Sequence, residues 1–142
     1  MDKQKLMEAA LEARNHAYTP YSHFQVGAAL LTKAGRIYQG CNIENAAYTP
    51  TVCAERNAFF KALYEGERAF AAIAVAGGPE GECRDYAPPC GVCRQVMMEF
   101  CDPRTFRIFL VKSPDEYREY TLEELLPMGF GPGNLKEREK QT

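Results

Sequence analysis

Small apolar side chains recur at helical spacing near the start of the chain. Leu6, Ala9, Ala10, Ala13 and Ala17 form one stripe, which predicts an amphipathic helix over Lys3–Ala17. Pro20 breaks it. The pattern then changes to that of strands, Phe24–Thr32 and Ile37–Ile43, joined by a turn at Lys33-Ala34-Gly35-Arg36 and expected to pair antiparallel. A second helix follows from about Val52 to Tyr64. It packs Ala58, Phe59, Ala62 and Leu63, and Gly66 sits just past its end.

Phe70–Ala76 is a nearly continuous apolar run, as in a strand covered on both faces. Beyond a Gly/Pro loop, Cys90–Phe100 reads as a helix with Val92, Val96, Met97 and Phe100 facing inward. Phe106–Val111 reads as a buried strand and Tyr117–Thr121 as an edge strand, with the SPDE stretch turning the chain between them. Thr121 and Glu124 have capping-box spacing at the start of a short helix. The GFGPGNL stretch reads as loop and residues 136–142 as a frayed tail. There is no linker, repeat or low-complexity segment, so residues 1–142 read as a single domain. The order of elements predicts an α/β fold, a three-layer α/β/α sandwich with a mixed sheet of about five strands.

Composition narrows the function. The 142 residues are 46% hydrophobic and 25% charged, an ordinary soluble balance. A net charge of −2, with no block of basic residues, weighs against nucleic acid as the main partner. No apolar run approaches the roughly 20 residues that span a bilayer. The first residues lack the apolar region of a signal peptide, so a cytoplasmic protein is expected. Thiols stay reduced there, and six cysteines then suggest metal binding or catalysis more than disulfides.

Cys90 and Cys93 form a C-x-x-C at a predicted helix start. Its readings are a zinc pair, a redox pair or coincidence, with zinc favoured. Positions i and i+3 share a helix face, and a helix N-terminus favours thiolate. Cys53, at the start of the other central helix, offers a third sulfur. Cys101 lies about 12 Å further along if the helix continues, too far to share the ion. Cys41 and Cys83 remain possible fourth ligands, although a closed structural site usually shows a second close pair. Three protein ligands and an open position would suit catalysis. Glu55 bears on this choice. On residue type alone it fits a solvated helix face, but the cysteines around it reverse that preference. Residues two apart on a helix diverge by roughly 200°, so Cys53 and Glu55 converge only on an ion near the helix N-terminus. Arg56, at i+3 from Cys53, can lie beside its sulfur and offset the excess negative charge of three thiolates.

The combination of Cys53-Ala54-Glu55 with Pro89-Cys90-x-x-Cys93 resembles the zinc nucleoside and nucleobase deaminases. The segments PYSHFQVGAALL, GCNIENAAY, CAERNAFFKAL, PCGVCRQV and LLPMGFGPGNL extend the likeness, in order and over nearly the whole chain, to the small homotetrameric cytidine deaminases. Thr49-Pro50-Thr51 departs from that pattern. The resemblance implies hydrolysis of cytidine and deoxycytidine to the uridine nucleosides and ammonia, in pyrimidine salvage. It implies one zinc per chain on Cys53, Cys90 and Cys93, with Glu55 as proton shuttle. Alternatives are a deaminase of another cytosine nucleoside or antibiotic analogue and, less favoured, a zinc-stabilised nucleic-acid-binding or editing protein.

The resemblance also implies substrate contacts. Asn42 and Glu44 match ribose contacts. As residues i and i+2 of an extended chain they would share a face, and an amide beside a carboxylate suits a hydroxyl. The plain alternative is a polar strand end. Phe24 matches the residue against the pyrimidine, with core as its alternative. Phe130 matches an aromatic offered to a neighbouring subunit, with a local cap on the tail as its alternative. Ala54 can offer a first-turn N–H to the base. Tyr48 is a candidate interface group. His16 and His23 fit ordinary polar positions.

Overall fold

The computed structural model describes residues 1–135, and the expected frayed tail lies outside them. The elements are α1 (Lys3–Ala13), β1 (Phe24–Thr32), β2 (Ile37–Cys41), α2 (Ala54–Tyr64), β3 (Phe70–Pro79), α3 (Gly91–Phe100), β4 (Arg107–Ser113), β5 (Glu116–Thr121) and α4 (Leu122–Leu125). The five strands form a sheet in the order β2-β1-β3-β4-β5. Only β3 and β4 run parallel; the other neighbours are antiparallel. A parallel pair needs a crossover, and α3 lies on that connection.

Strand alternation sorts the core into two layers. Ala28, Leu30, Ile73, Val75, Ile108 and Leu110 face α2 and α3, where Ala58, Phe59 and Met97 meet them. Ala29, Ala72, Ala74, Ala76, Phe109 and Val111 form the other cluster, against Leu6, Met7 and Ala10 of α1. The sheet is therefore covered on both faces, as expected. The alanines on the α1 face leave room for a close helix. A Cβ at Gly27 would stand 2.2 Å from the carbonyl oxygen of Ala10.

The hairpin, the left-handed Gly66 after α2 and the Thr121/Glu124 capping box all form as expected. Boundaries shift where tertiary contacts compete. α1 was expected to reach Ala17 but ends at Ala13, followed by a 3-10 turn over Arg14–His16. Ala17 is extended, and Tyr18 N–H donates to Asn42 O at 3.0 Å, which draws the chain toward the sheet. β2 stops at Cys41, and Ile43 instead bridges Tyr18 and Val52. That bridge holds Val52 in extended form, so α2 starts at Ala54. β3 continues through Gly77 and Gly78 to Pro79, where a loop was expected after Ala76. A Cβ at Gly78 would lie 2.3 Å from Glu82 O, so only a glycine lets the returning loop approach. Met7 is buried although it lies outside the expected stripe. Val92, expected inward, is exposed, and Cys93 takes the buried position on that turn. Residues 132–135 are helical where loop was expected. Asn134 stabilises that turn by accepting from Gly131 N–H at 2.9 Å.

Candidate active site

The N-termini of α2 and α3 meet beside β3. Cys53 is the N-cap of α2 and Cys90 the N-cap of α3. Cys53 has extended backbone (φ −69°, ψ 155°), so its side chain escapes the helical period. This resolves the roughly 200° problem: Cys53 precedes the helix, while Glu55 is its second residue.

The sulfurs of Cys53, Cys90 and Cys93 lie within 4.8 Å of one another. Cys53 Sγ is 3.7 Å from Cys90 Sγ, which is 3.4 Å from Cys93 Sγ. Tetrahedral zinc at about 2.3 Å from each sulfur separates them by about 3.8 Å, so the donor set fits that ion. Both helix N-termini add partial positive charge. Arg56 Nη2 donates to Cys53 Sγ at 3.4 Å. The Cys53 thiol is drawn down to about 5, first by its hydrogen bond with Cys93 and also by Arg56. The same pairing with Cys53, together with burial, pushes the Cys93 thiol well up.

The other cysteines sit elsewhere. Cys83 Sγ donates to Gly77 O and Val111 O at 3.3 and 3.4 Å. Cys101 is the C-cap of α3, at the far end of that helix. Cys41 lines a separate cavity with His16 and Lys61.

A cavity of about 190 Å³ opens beside the sulfurs. Cys53, Ala54, Glu55 and Cys90 line it together with Phe24, Val26, Asn42 and Val75, and with Ala87 and Pro88 of the loop before Cys90. Glu55 is 4% exposed. Burial pushes its carboxyl up to about 7, and the charge of Cys53 adds to the effect. Phe24 is 41% exposed, so it is not plain core.

Asn42 is fixed by two hydrogen bonds just beyond the end of β2. Its Oδ1 accepts from Val26 N–H and its Nδ2 donates to Phe24 O, both at 2.9 Å. Each amide atom keeps capacity for one more partner. Glu44 Oε1 accepts from Tyr21 and Ser22 N–H at 3.0 and 3.1 Å. Hydrogen bonding from Ser22, with Tyr21, holds this carboxyl below its ordinary range. Asn42 and Glu44, expected to share a face, line two adjoining cavities that meet at Thr51. Tyr48 stands on the Glu44 side, 74% exposed and in a left-handed conformation. Phe130 does not line the Glu55 cavity; it is 58% exposed. His16 and His23 pair with Glu12 and Glu80 on the surface.

The family described as cytidine and deoxycytidylate deaminase zinc-binding region matches residues 1–108. The chain belongs to this family. A cytidine deaminase of Sporosarcina psychrophila is 48% identical over 135 residues, covering 95% of this chain and 96% of that relative. One of Halalkalibacterium halodurans is 50% identical over 130 residues, covering 92% and 95%. The crystal structure of cytidine deaminase from Burkholderia pseudomallei matches with a TM-score of 0.83 at 47% identity. It covers 92% of this chain and 100% of that one. The α/β sandwich with a mixed five-stranded sheet is thus the deaminase fold.

Two arginines that the sequence reading did not single out support the site of this deaminase-family chain. Arg14 is buried, and its guanidinium donates to the carbonyls of Gln25, Gly78, Pro79 and Glu82 at 2.8 to 3.2 Å. It ties the cavity end of β1 to the loop after β3. Its place four residues after Ala10, on the buried stripe, was the available clue. Arg94 donates to Pro89 O at 2.8 Å and to Leu125 O, and so braces the loop leading into Cys90.

Proposed function

We propose that the protein hydrolytically deaminates cytidine and deoxycytidine in pyrimidine salvage, with Cys53, Cys90 and Cys93 holding one zinc per chain. One observation carries the reading. A buried carboxyl, Glu55, and the sulfurs of Cys53 and Cys90 line the same small cavity, in a chain of the deaminase family. Zinc bound there supplies Lewis acidity that makes water a nucleophile near neutral pH. Glu55 takes the proton of the attacking water and delivers it to the ring nitrogen beside the amine-bearing carbon. It then helps protonate the departing amine. One carboxylate serves all three transfers because the proton is passed on and not stored.

Phe24 packs against the pyrimidine, and Ala54, at the first turn of α2, offers its N–H to the base. Asn42 uses its spare amide capacity, and Glu44 its second oxygen, for ribose hydroxyls. Arg56 offsets the negative charge of three thiolates. Phe130 stands outside its own chain's cavity, which supports lending it to a neighbouring subunit of a homotetramer. The chain acts as a single cytoplasmic domain, with Tyr48 as an interface group. A neutral nucleoside suits the small cavity and the net charge of −2 better than a nucleic-acid polymer does. Among the described residues, no helix is long and apolar enough to cross a membrane.

The test follows near-ultraviolet absorbance of cytidine after purified protein is added, with and without a zinc chelator. Loss of absorbance that the chelator abolishes supports the reading. Unchanged cytidine in the presence of fully zinc-loaded protein rejects it.

A further inference from the structure

We infer that Gln95 is a positioning residue that fixes Phe130 for the active site of a second copy of this chain. The inference rests on the deaminase reading above. Gln95 Nε2 donates to Phe130 O at 2.8 Å. The neighbouring backbone is fixed as well. Asn134 Oδ1 accepts from Gly131 N–H at 2.9 Å, and Asn134 N–H donates back to Gly131 O at 3.0 Å. A Cβ at Gly129 would lie 3.0 Å from Leu126, and one at Gly131 3.0 Å from Met98, so the segment packs closely on its own chain.

Phe130 nevertheless stays 58% exposed and outside its own chain's cavity. Ordering a backbone costs conformational entropy, and leaving an aromatic ring in water forgoes its burial. A rigid mount with an exposed ring therefore suits presentation to another surface, where preorganisation reduces the cost of binding. Gln95 lies on α3, two residues after Cys93. The same helix that brings a sulfur to its own site thus holds the aromatic for the next.

Gln95 is exposed, so substitutions there are compatible with folding. Gln95→Met removes the hydrogen bond with little change in size, and Gln95→Glu keeps the shape but offers no donor when ionised. In the full-length enzyme both should raise KM for cytidine about 3- to 10-fold, the range set by one lost hydrogen bond. Both should leave kcat, zinc content and Tm near wild type. An unchanged KM, or a kcat that falls together with zinc content, would overturn the inference.

Hybrids locate the effect. Glu55→Gln subunits, with dead sites but a sound Gln95 and Phe130, are co-refolded with Gln95→Met subunits. Part of the turnover should regain the wild-type KM. A KM raised for all turnover, despite proven subunit exchange, places the effect within one chain and overturns the inference; so does a monomer by light scattering. Wild-type protein that never deaminates cytidine is a separate outcome, which rejects the deaminase reading itself.

Discussion

Arg56 lies one helical turn beyond Cys53 and donates from Nη2 to its sulfur at 3.4 Å. The pairing raises the guanidinium pKa and helps lower that of the thiol. Three thiolates holding a zinc ion would leave one excess negative charge, which would weaken the acidification of water there. A donor held against one sulfur withdraws part of that charge.

Arg56→Gln should therefore lower kcat about 10- to 100-fold, the usual cost of losing a partner of a metal ligand. Steady-state rates at saturating cytidine, with zinc measured by elemental analysis on the same samples, provide the check. A zinc-loaded variant with wild-type kcat would show that the contact only packs the helix.

Glu55→Gln separates proton transfer from binding. The amide keeps the shape of the buried side chain and its hydrogen-bonding capacity but cannot shuttle a proton. Zinc content should be retained, and activity should fall by at least about 10²- to 10⁴-fold. Near wild-type turnover by the purified variant would leave Glu55 without a chemical role.

The cysteines should divide into two groups. Cys53→Ala, Cys90→Ala and Cys93→Ala should each lower zinc content and activity together. Cys83→Ala and Cys101→Ala should preserve both. Cys83 is engaged with two backbone carbonyls and Cys101 caps the other end of α3. Zinc lost on replacing Cys83 would point to a fourth sulfur ligand and a closed site.

The elements were legible in the sequence where one local signal dominated. Ala58, Phe59 and Ala62 repeat at helical spacing and are buried, and the Thr121/Glu124 capping box needs only its own turn. The meeting of Cys53, Cys90 and Cys93 beside Glu55 was legible because these residues occur as two short motifs. What escaped depends on long-range partners. Gly77 and Gly78 look like a loop locally, yet they pair with Val26 and Gln25 of β1. Arg14 follows α1 on the buried stripe, but its partners could not be read locally, since its hydrogen bonds reach residues 64 to 68 positions away. Asn42 and Glu44 lie past the end of β2 at Cys41 and line adjoining cavities, a placement that their i, i+2 spacing alone does not specify.

Gly40 offers a test of how the sheet places the chemistry. It lies on β2 under α2, and a Cβ there would stand 2.4 Å from Ala54 O and 2.5 Å from Ala58 N. Both are backbone atoms, so no rotamer change relieves the overlap. The helix must move off the sheet, and Ala54 and Ala58 are themselves fully buried. Overpacking of this kind costs about 1–3 kcal/mol. The displaced segment is the first turn of α2, which directly follows Cys53 and carries Glu55. Gly40→Ala should thus lower the Tm of the zinc-loaded protein and also weaken zinc retention in a chelator competition. Remaining activity should fall more than zinc content does, because proton transfer by Glu55 depends on its placement to within a fraction of an ångström. A variant with lowered Tm but unchanged kcat and zinc retention would mean that α2 relaxes elsewhere, and that close contact with Gly40 does not set the position of its N-terminus.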